Sequence, residues 1–422
     1  MRKKKIKPFF FMGLFCFVTT SCVTSQKTGN TADTQVMTME NVNTVDTIEV
    51  DVDQARDLTR KNNAFALNLF RQVSGFDSKI ISPLSVTYLM SMLTNGANDV
   101  TRQEILNVLG WGSVSVDDIN RYCMTLLRST DGKEGAAVNI ANYIAVNKNL
   151  ALKKNYAKSM ESVFRAAVEN LDFSSSETPS HINAWCSKQT NGMIKEMVKQ
   201  VDPQALSYLL NAVFFKGTWE KKFDSELTKT ESFHGYTRDV KRVQMMGQEG
   251  QFSYTTNDVF SAVSLPYEHG EYSMVVVLPN EDRSISDVLK TMTAESLTNV
   301  RSGMEPCMVD LKLPRFATEL TLPLNEIISS LGAPTMFDPQ NEDFSLMADG
   351  HMFVSQMLQK AKIEVTESGT KAAAVTMGTI MMTSVNMQPV RHVSFHANRP
   401  FMYLITESDT GAILFMGQYT GE

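Results

Sequence analysis

Ala361-Lys362-Ile363-Glu364-Val365-Thr366-Glu367-Ser368-Gly369-Thr370-Lys371-Ala372-Ala373-Ala374-Val375-Thr376, followed by Met377-Gly378-Thr379-Ile380-Met381-Met382-Thr383-Ser384, is the stretch on which the reading of this chain turns. Lys360 to Glu367 reads as a strand that runs directly into Gly369 and a tract of small residues. Ala372, Ala373 and Ala374 prefer helix by propensity, yet no capping partner or apolar stripe supports one. Small side chains have another use. A segment that slides between two strands already packed over a core must carry nothing bulky on its inward face. At a period of two, Thr370, Ala372, Ala374 and Thr376 share one face, and Lys371, Ala373, Val375 and Met377 the other, which points Lys371 to water. Gly369 supplies the hinge, because it accepts backbone angles that other residues resist. The same tract also reads as an ordinary mobile loop with small residues, and taken alone it does not separate the two.

Around this stretch lie 422 residues, of which 43% are hydrophobic, enough to bury a large core. Lys and Arg total 40 against 46 Asp plus Glu. Loss of Arg2, Lys3, Lys4, Lys5 and Lys7 with a leader makes the balance more acidic still, which argues against a nucleic-acid partner.

That leader is expected over residues 1–21: a basic run, apolar Phe9 to Val18, then Thr19-Thr20-Ser21-Cys22. The apolar run is too short for a bilayer, which takes about 20 residues. A cysteine at this place points to bacterial lipoprotein processing with lipid added to Cys22; ordinary leader cleavage nearby, with Cys22 incidental, is the other reading. The expected location is the bacterial cell envelope, anchored to a membrane, or outside the cell. Residues 22–56 are rich in Thr, Asn, Asp and Val and read as a flexible tether. Residues 57–422 then form one large domain with no further linker or repeat. Cys123, Cys186 and Cys307 have neither disulfide nor zinc spacing and are read as buried small hydrophobes.

Helix signals are strong early. Ser82 caps a helix with Pro83 in its first turn, Tyr88, Leu89, Met92 and Leu93 follow, and Gly96 closes it. Thr101 and Glu104 are expected to form a capping box, with Gly110 ending that helix. Phe65, Leu69, Phe70 and Val73 mark an earlier helix, and Ser180 to Gly192 a later one. Strands follow: Tyr208 to Phe215, Ser261 to Pro266, Tyr272 to Leu278, Val309 to Phe316, Lys360 to Glu367, Phe401 to Thr406 and Ile413 to Gln418. Helices first and strands afterwards predict an α+β protein with a large, mainly antiparallel sheet.

At this point a family resemblance enters. From about residue 57 to 420 the chain resembles serpins, through Ser82-Pro83-Leu84-Ser85, Asn95-Gly96-Ala97 with Thr101, and Asn211-Ala212-Val213-Phe214-Phe215-Lys216-Gly217-Thr218-Trp219. Leu265-Pro266-Tyr267, Leu278-Pro279, Leu313-Pro314-Arg315-Phe316, Phe395-His396-Ala397-Asn398-Arg399-Pro400-Phe401 and Phe415-Met416-Gly417 follow in the family's order. The resemblance implies three β-sheets, eight or nine helices and an exposed reactive loop near the C-terminus, about residues 368–394. It implies that Ser82, Ser85 and Asn211 form a shutter beneath an opening sheet, and that Trp219 marks the breach where insertion starts. Glu367 and Gly369 to Thr376 correspond to the hinge. Two departures stand out: Gln359 occupies a place where many members keep a shutter histidine, and Lys371 replaces a frequent acidic residue.

The implied activity is protease inhibition by a suicide substrate. A protease attacks the loop, forms an acyl-enzyme and is carried along as the loop becomes an extra strand, so the partner is a target endopeptidase in covalent complex and the inhibitor a monomer. The family's spacing places the scissile bond at Thr383-Ser384, within a window of Met381, Met382 and Val385. From Ala372 to Val390 there is no Lys or Arg; the bait therefore suits an elastase- or chymotrypsin-like serine protease, or a papain-like cysteine protease. A non-inhibitory serpin is the further alternative. Nothing points to an enzyme: nucleophile elbow, phosphate loop and His-Glu-x-x-His are all missing. His392 and His396 share a strand face without implying metal, and Lys153, Lys154 and Lys158 are too few for a polyanion cofactor. No cofactor is expected.

Overall fold

The computed structural model describes residues 52–130, 136–236, 239–370 and 390–421. The described chain opens in the helix Val52–Val73, whose Leu58, Phe65, Leu69 and Phe70 are buried. Residues 52–56, allotted to the tether by sequence, are therefore helical. Helix Pro83–Gly96 begins as its cap predicts, with the Ser82 side chain accepting from the Ser85 amide. It is buried on every face save at Asn95, because helices and strands surround it. Gly96 is its last residue, and that position takes no side chain: a Cβ there would stand 2.7 Å from Cβ of Met347.

The next helix corrects the sequence. It spans Asp99–Val108 and starts after Asn98, so Thr101 and Glu104 make no capping box. Both instead serve a distant segment: the Asp343 amide donates to Thr101, and Thr335 donates its amide and hydroxyl to the Glu104 carboxylate. Tertiary partners outcompeted the local ones. Gly110 follows the helix with φ +72, as a terminating glycine does. The later helix is Thr178–Gln189, and among the described residues there are nine α-helices.

Three sheets organise the strands. The six-stranded sheet runs Phe316–Pro323, Gln356–Thr366, Gly369–Thr370, Ser207–Thr218, Ala136–Asn147, Ala167–Leu171. Ala151–Leu152 and Ala348–Asp349 form a two-stranded sheet, and a nine-stranded array holds the other large strands, the longest of them Val240–Thr256. The early part of that strand pairs with Lys229–His234, its middle with Glu305–Pro314 and its last residues with Phe260–Pro266. The expected strand Val309 to Phe316 is in fact two. Glu305–Pro314 lies in the array and Phe316–Pro323 in the six-stranded sheet; proline closes the first, and the Arg315 amide turns to the Gln244 carbonyl.

Cys123, Cys186 and Cys307 are buried and unpaired, as the sequence predicts. Burial pushes the thiols of Cys123 and Cys186 up to about 12. Among the described residues no helix is long and apolar enough to cross a membrane.

Candidate functional site

Ser207–Thr218 and Gln356–Thr366 are the two long strands at the centre of the six-stranded sheet, and they run parallel. Their register extends from Gln356 opposite Tyr208 to Lys362 opposite Phe214. Beyond Lys362 they part. The chain leaving Thr366 turns through Glu367 and Ser368 and comes back between them, with Gly369 opposite Thr218 and Thr370 opposite Gly217 on one side, and Thr370 opposite Val365 on the other. The seam thus has a head, already occupied by two residues of the predicted hinge, and a middle, still closed.

At the head the geometry admits only glycine at the first position. Gly369 has φ +139, and a Cβ on it would stand 2.0 Å from the Gly217 carbonyl oxygen. Gly217 is equally confined, since a Cβ would come within 2.7 Å of the Tyr267 ring. Thr370 is fully buried, and its hydroxyl lies 2.7 Å from the Tyr267 hydroxyl. Burial, opposed only by that bond, raises the Tyr267 phenol far above its ordinary range. Trp219 stacks on Tyr267 at 4.5 Å, donates its indole N–H to the Thr366 carbonyl at 3.0 Å and its amide to Ser368 at 3.1 Å. One aromatic pair therefore holds both sides of the turn.

Glu367 fastens the outside of that turn. Its carboxylate accepts from the Arg315 guanidinium and, at 2.7 Å, from the Thr228 hydroxyl, while its carbonyl takes the Phe223 amide. Burial alone would raise its pKa, but Arg315 and Thr228 outweigh burial and hold it below the usual carboxylate value.

Under the middle of the seam the side chains are uncharged. Gln359 and Asn211 face each other across the two strands. The Gln359 amide donates to the Ser82 carbonyl at 2.8 Å and accepts from the Ser82 amide at 2.9 Å, copying the reciprocal pair of a sheet. This is how the network works without histidine. The Ser82 hydroxyl donates to the Leu414 carbonyl at 2.7 Å and sits 2.9 Å from that of Ser85. Asn211 bonds Asn142 on its own side at 2.9 Å, whereas the bond across the seam, from Gln359 to Asn211, is 3.4 Å. The side-chain bond that an opening seam breaks is thus a long one.

The structure thus brings Ser82, Ser85, Asn211 and Gln359 together below the seam, and Trp219, Glu367, Gly369 and Thr370 at its head. Lys371, Ala372, Ala373, Ala374, Thr376, Met381, Met382, Thr383, Ser384, Val385 and Cys22 lie outside the described residues. Sequence reasoning gave no role to Tyr267, Thr228 or Arg315. Their partners lie 103, 139 and 52 positions away, and no local pattern signals such contacts. His392 and His396 do share a strand; His396 meets Asp310 at 2.8 Å, and His392 is exposed.

Comparison with known proteins bears on this arrangement. A family model described as "Serpin (serine protease inhibitor)" matches residues 60–421. Serpin B6 of Macaca fascicularis is 32% identical over 376 residues, covering 86% of this chain and 99% of that protein. Among solved structures, the thermophilic serpin tengpin in the native state superposes with TM-score 0.81 at 29% identity, covering 88% of this chain and 95% of the other. Thyroxine-binding globulin in complex with thyroxine superposes with TM-score 0.77 at 25% identity, covering 86% and 98%.

Proposed function

The chain belongs to the serpin family, and from that premise we propose that it inhibits an endopeptidase by inserting its cut reactive loop into the six-stranded sheet. The observation that carries this reading is the placement of Gly369 and Thr370 between the two parallel strands, with Thr370 buried on the core side. Strand addition needs a paired slot and side chains that fit it. In the inserted state the same registers set Ala372 against Phe215 and Ile363, Ala374 against Val213 and Ala361, and Thr376 against Asn211 and Gln359. All six slot neighbours are buried, so the small inward residues meet the tightest ground. Lys371 falls on the opposite face, beside exposed Lys216.

The proposed bond is Thr383-Ser384 within 381–385, and the proposed target an elastase- or chymotrypsin-like protease, since the bait offers Met and Thr and no cation. Incubation with a panel of such proteases gives a complex that survives SDS, and sequencing of the released C-terminal fragment gives the bond. Thr370→Arg puts a charge where Tyr267 and Gly217 leave no space; the variant is cleaved as a substrate and the complex is lost. A complex that persists in Thr370→Arg overturns the reading, as does a nicked protein that melts no higher than the intact one. Cys22 is the proposed lipid attachment point, supported by the order of basic, apolar and small residues before it. Cys22→Ala is expected to move the protein from the membrane fraction to the soluble one.

A further inference from the structure

The end of helix Val52–Val73, the residues after strand Lys229–His234 and the helix Ile285–Thr291 enclose a cavity of about 510 Å³, to which no residue of the seam contributes. That volume is within the usual range of a small-molecule site. Its floor is apolar, built from Phe76, Tyr236 and Leu289. Phe76 is 78% exposed, more than any other large apolar side chain among the described residues, and stands edge-on to Tyr236 with ring centroids 5.5 Å apart. Slack in the chain does not explain this exposure. Gln418, fully buried on strand Ile413–Tyr419, accepts the Ser74 hydroxyl and donates to the carbonyls of Gly75 and Asp77, each at 2.7 Å. A loop tied on both sides of Phe76 thus holds its ring out in water. Tyr236 is half-buried and fixed as well, its hydroxyl bonded to the Ile285 backbone.

Beside this floor stands Arg71. Its Nε and Nη2 donate to the Leu289 carbonyl at 3.1 and 3.0 Å, Nη2 also to the Met292 carbonyl, and Nη1 to the Asn68 side-chain oxygen at 2.7 Å. Of the guanidinium N–H groups this leaves one, on Nη1. All these partners are neutral, so the charge is fixed in place without being cancelled. Lys290 adds a second cation at the rim. It reaches Asp287 at 3.3 Å, but the other oxygen of that carboxylate is engaged by the Ser284 amide and hydroxyl at 3.1 and 2.7 Å. Asp77, at the far end of the Phe76 loop, pairs with Lys79 at 3.5 Å. The cavity is therefore apolar below and positive at its edge.

We propose that this cavity binds a small aromatic carboxylate, its ring laid on Phe76 and Tyr236 and its carboxylate taken by the free Nη1 proton of Arg71 and by Lys290. The two features choose this class together. A neutral apolar molecule covers the ring and gains nothing from the cations, whereas an inorganic anion meets the cations and leaves Phe76 in water. The site is separate from the seam and does not depend on the insertion reading.

The test is calorimetric titration of the full chain with naphthylacetate, and with naphthylethanol as its uncharged counterpart. The wild type is expected to bind the carboxylate at a single site and the alcohol about tenfold more weakly, the difference of a charge-assisted contact. Phe76→Ala weakens the carboxylate about tenfold, as loss of an aromatic contact with its buried area does. Lys290→Gln weakens it about threefold, in the range of a solvent-exposed ion pair. Arg71→Gln removes the preference for the carboxylate over the alcohol. Because that variant also loosens the joint with Leu289 and Met292, Phe76→Ala and Lys290→Gln, both at the surface, keep the proposal falsifiable if it folds poorly. Equal affinity for carboxylate and alcohol, unchanged binding in Phe76→Ala, or no binding of naphthylacetate at millimolar concentration overturns the proposal.

Discussion

The head and the middle of the seam are built from opposite materials. At the head, an ion pair, an aromatic stack and two glycines hold a turn against the sheet; in the middle, four neutral side chains, of which Gln359 copies the hydrogen bonding of a sheet, lie beneath strands that are still paired. Charge screening, acid and loss of one ring reach the first. None of these touches the second, which answers only to the loss of a hydrogen-bonding partner. A sheet meant to admit a strand from one end needs this gradient, with contacts that yield locally where entry starts and contacts that yield together further on.

The comparison is broken most severely at Gln359. Gln359→Leu preserves the bulk but leaves the buried amide of Ser82 without its partner, at about 1–3 kcal/mol, and its carbonyl with the Val86 amide alone. Calorimetry is expected to show a lower melting temperature for the whole domain. An unchanged melting temperature means that Ser82 finds other partners and the middle is not what it is described to be.

Acid separates the two regions without mutation. Because Glu367 has a lowered pKa in the folded protein, its contribution is present above the unfolded carboxyl value, about 4.3, and is lost as pH falls through the folded one. The head then loosens while the neutral middle holds. The Trp219 emission, taken as the difference between wild type and Trp219→Phe, is expected to change in this acid range ahead of global unfolding. Glu367→Gln removes the step; a step that survives the substitution assigns it to another group.

Trp219→Phe itself has the smallest effect. It keeps a ring over Tyr267 and removes the bond to Thr366, at about 1 kcal/mol. Hydrogen exchange is expected to rise at residues 366–370 and to stay unchanged at 207–214, which sharpens the boundary between head and middle.

Much of this was legible in the sequence because the signals are local. Ser82 and Pro83 announce a helix start within one turn, and Lys360 to Glu367 alternate as a half-buried strand does. The division of Val309 to Phe316 was not legible, since both halves alternate alike and only the tertiary path sends Arg315 from one sheet to the next. Strand Ala136–Asn147 was overlooked because its second half is buried on both faces and loses the alternation that marks an edge or surface strand. At the site, residue types were readable and pairings were not. Glu367 suggests a hinge by its place in the chain, but only the fold supplies Arg315 and Thr228.

The sealed thiols offer a clock for these motions. Cys186, on helix Thr178–Gln189, lies in the apolar cluster against one face of the six-stranded sheet, while Cys123 is enclosed among helices beside Ser91. A thiol reagent added in pulses after the loop is cut reports on each enclosure separately. Modification of Cys186 before Cys123 dates the loosening of that helix from the sheet, and simultaneous modification means that the whole domain opened at once.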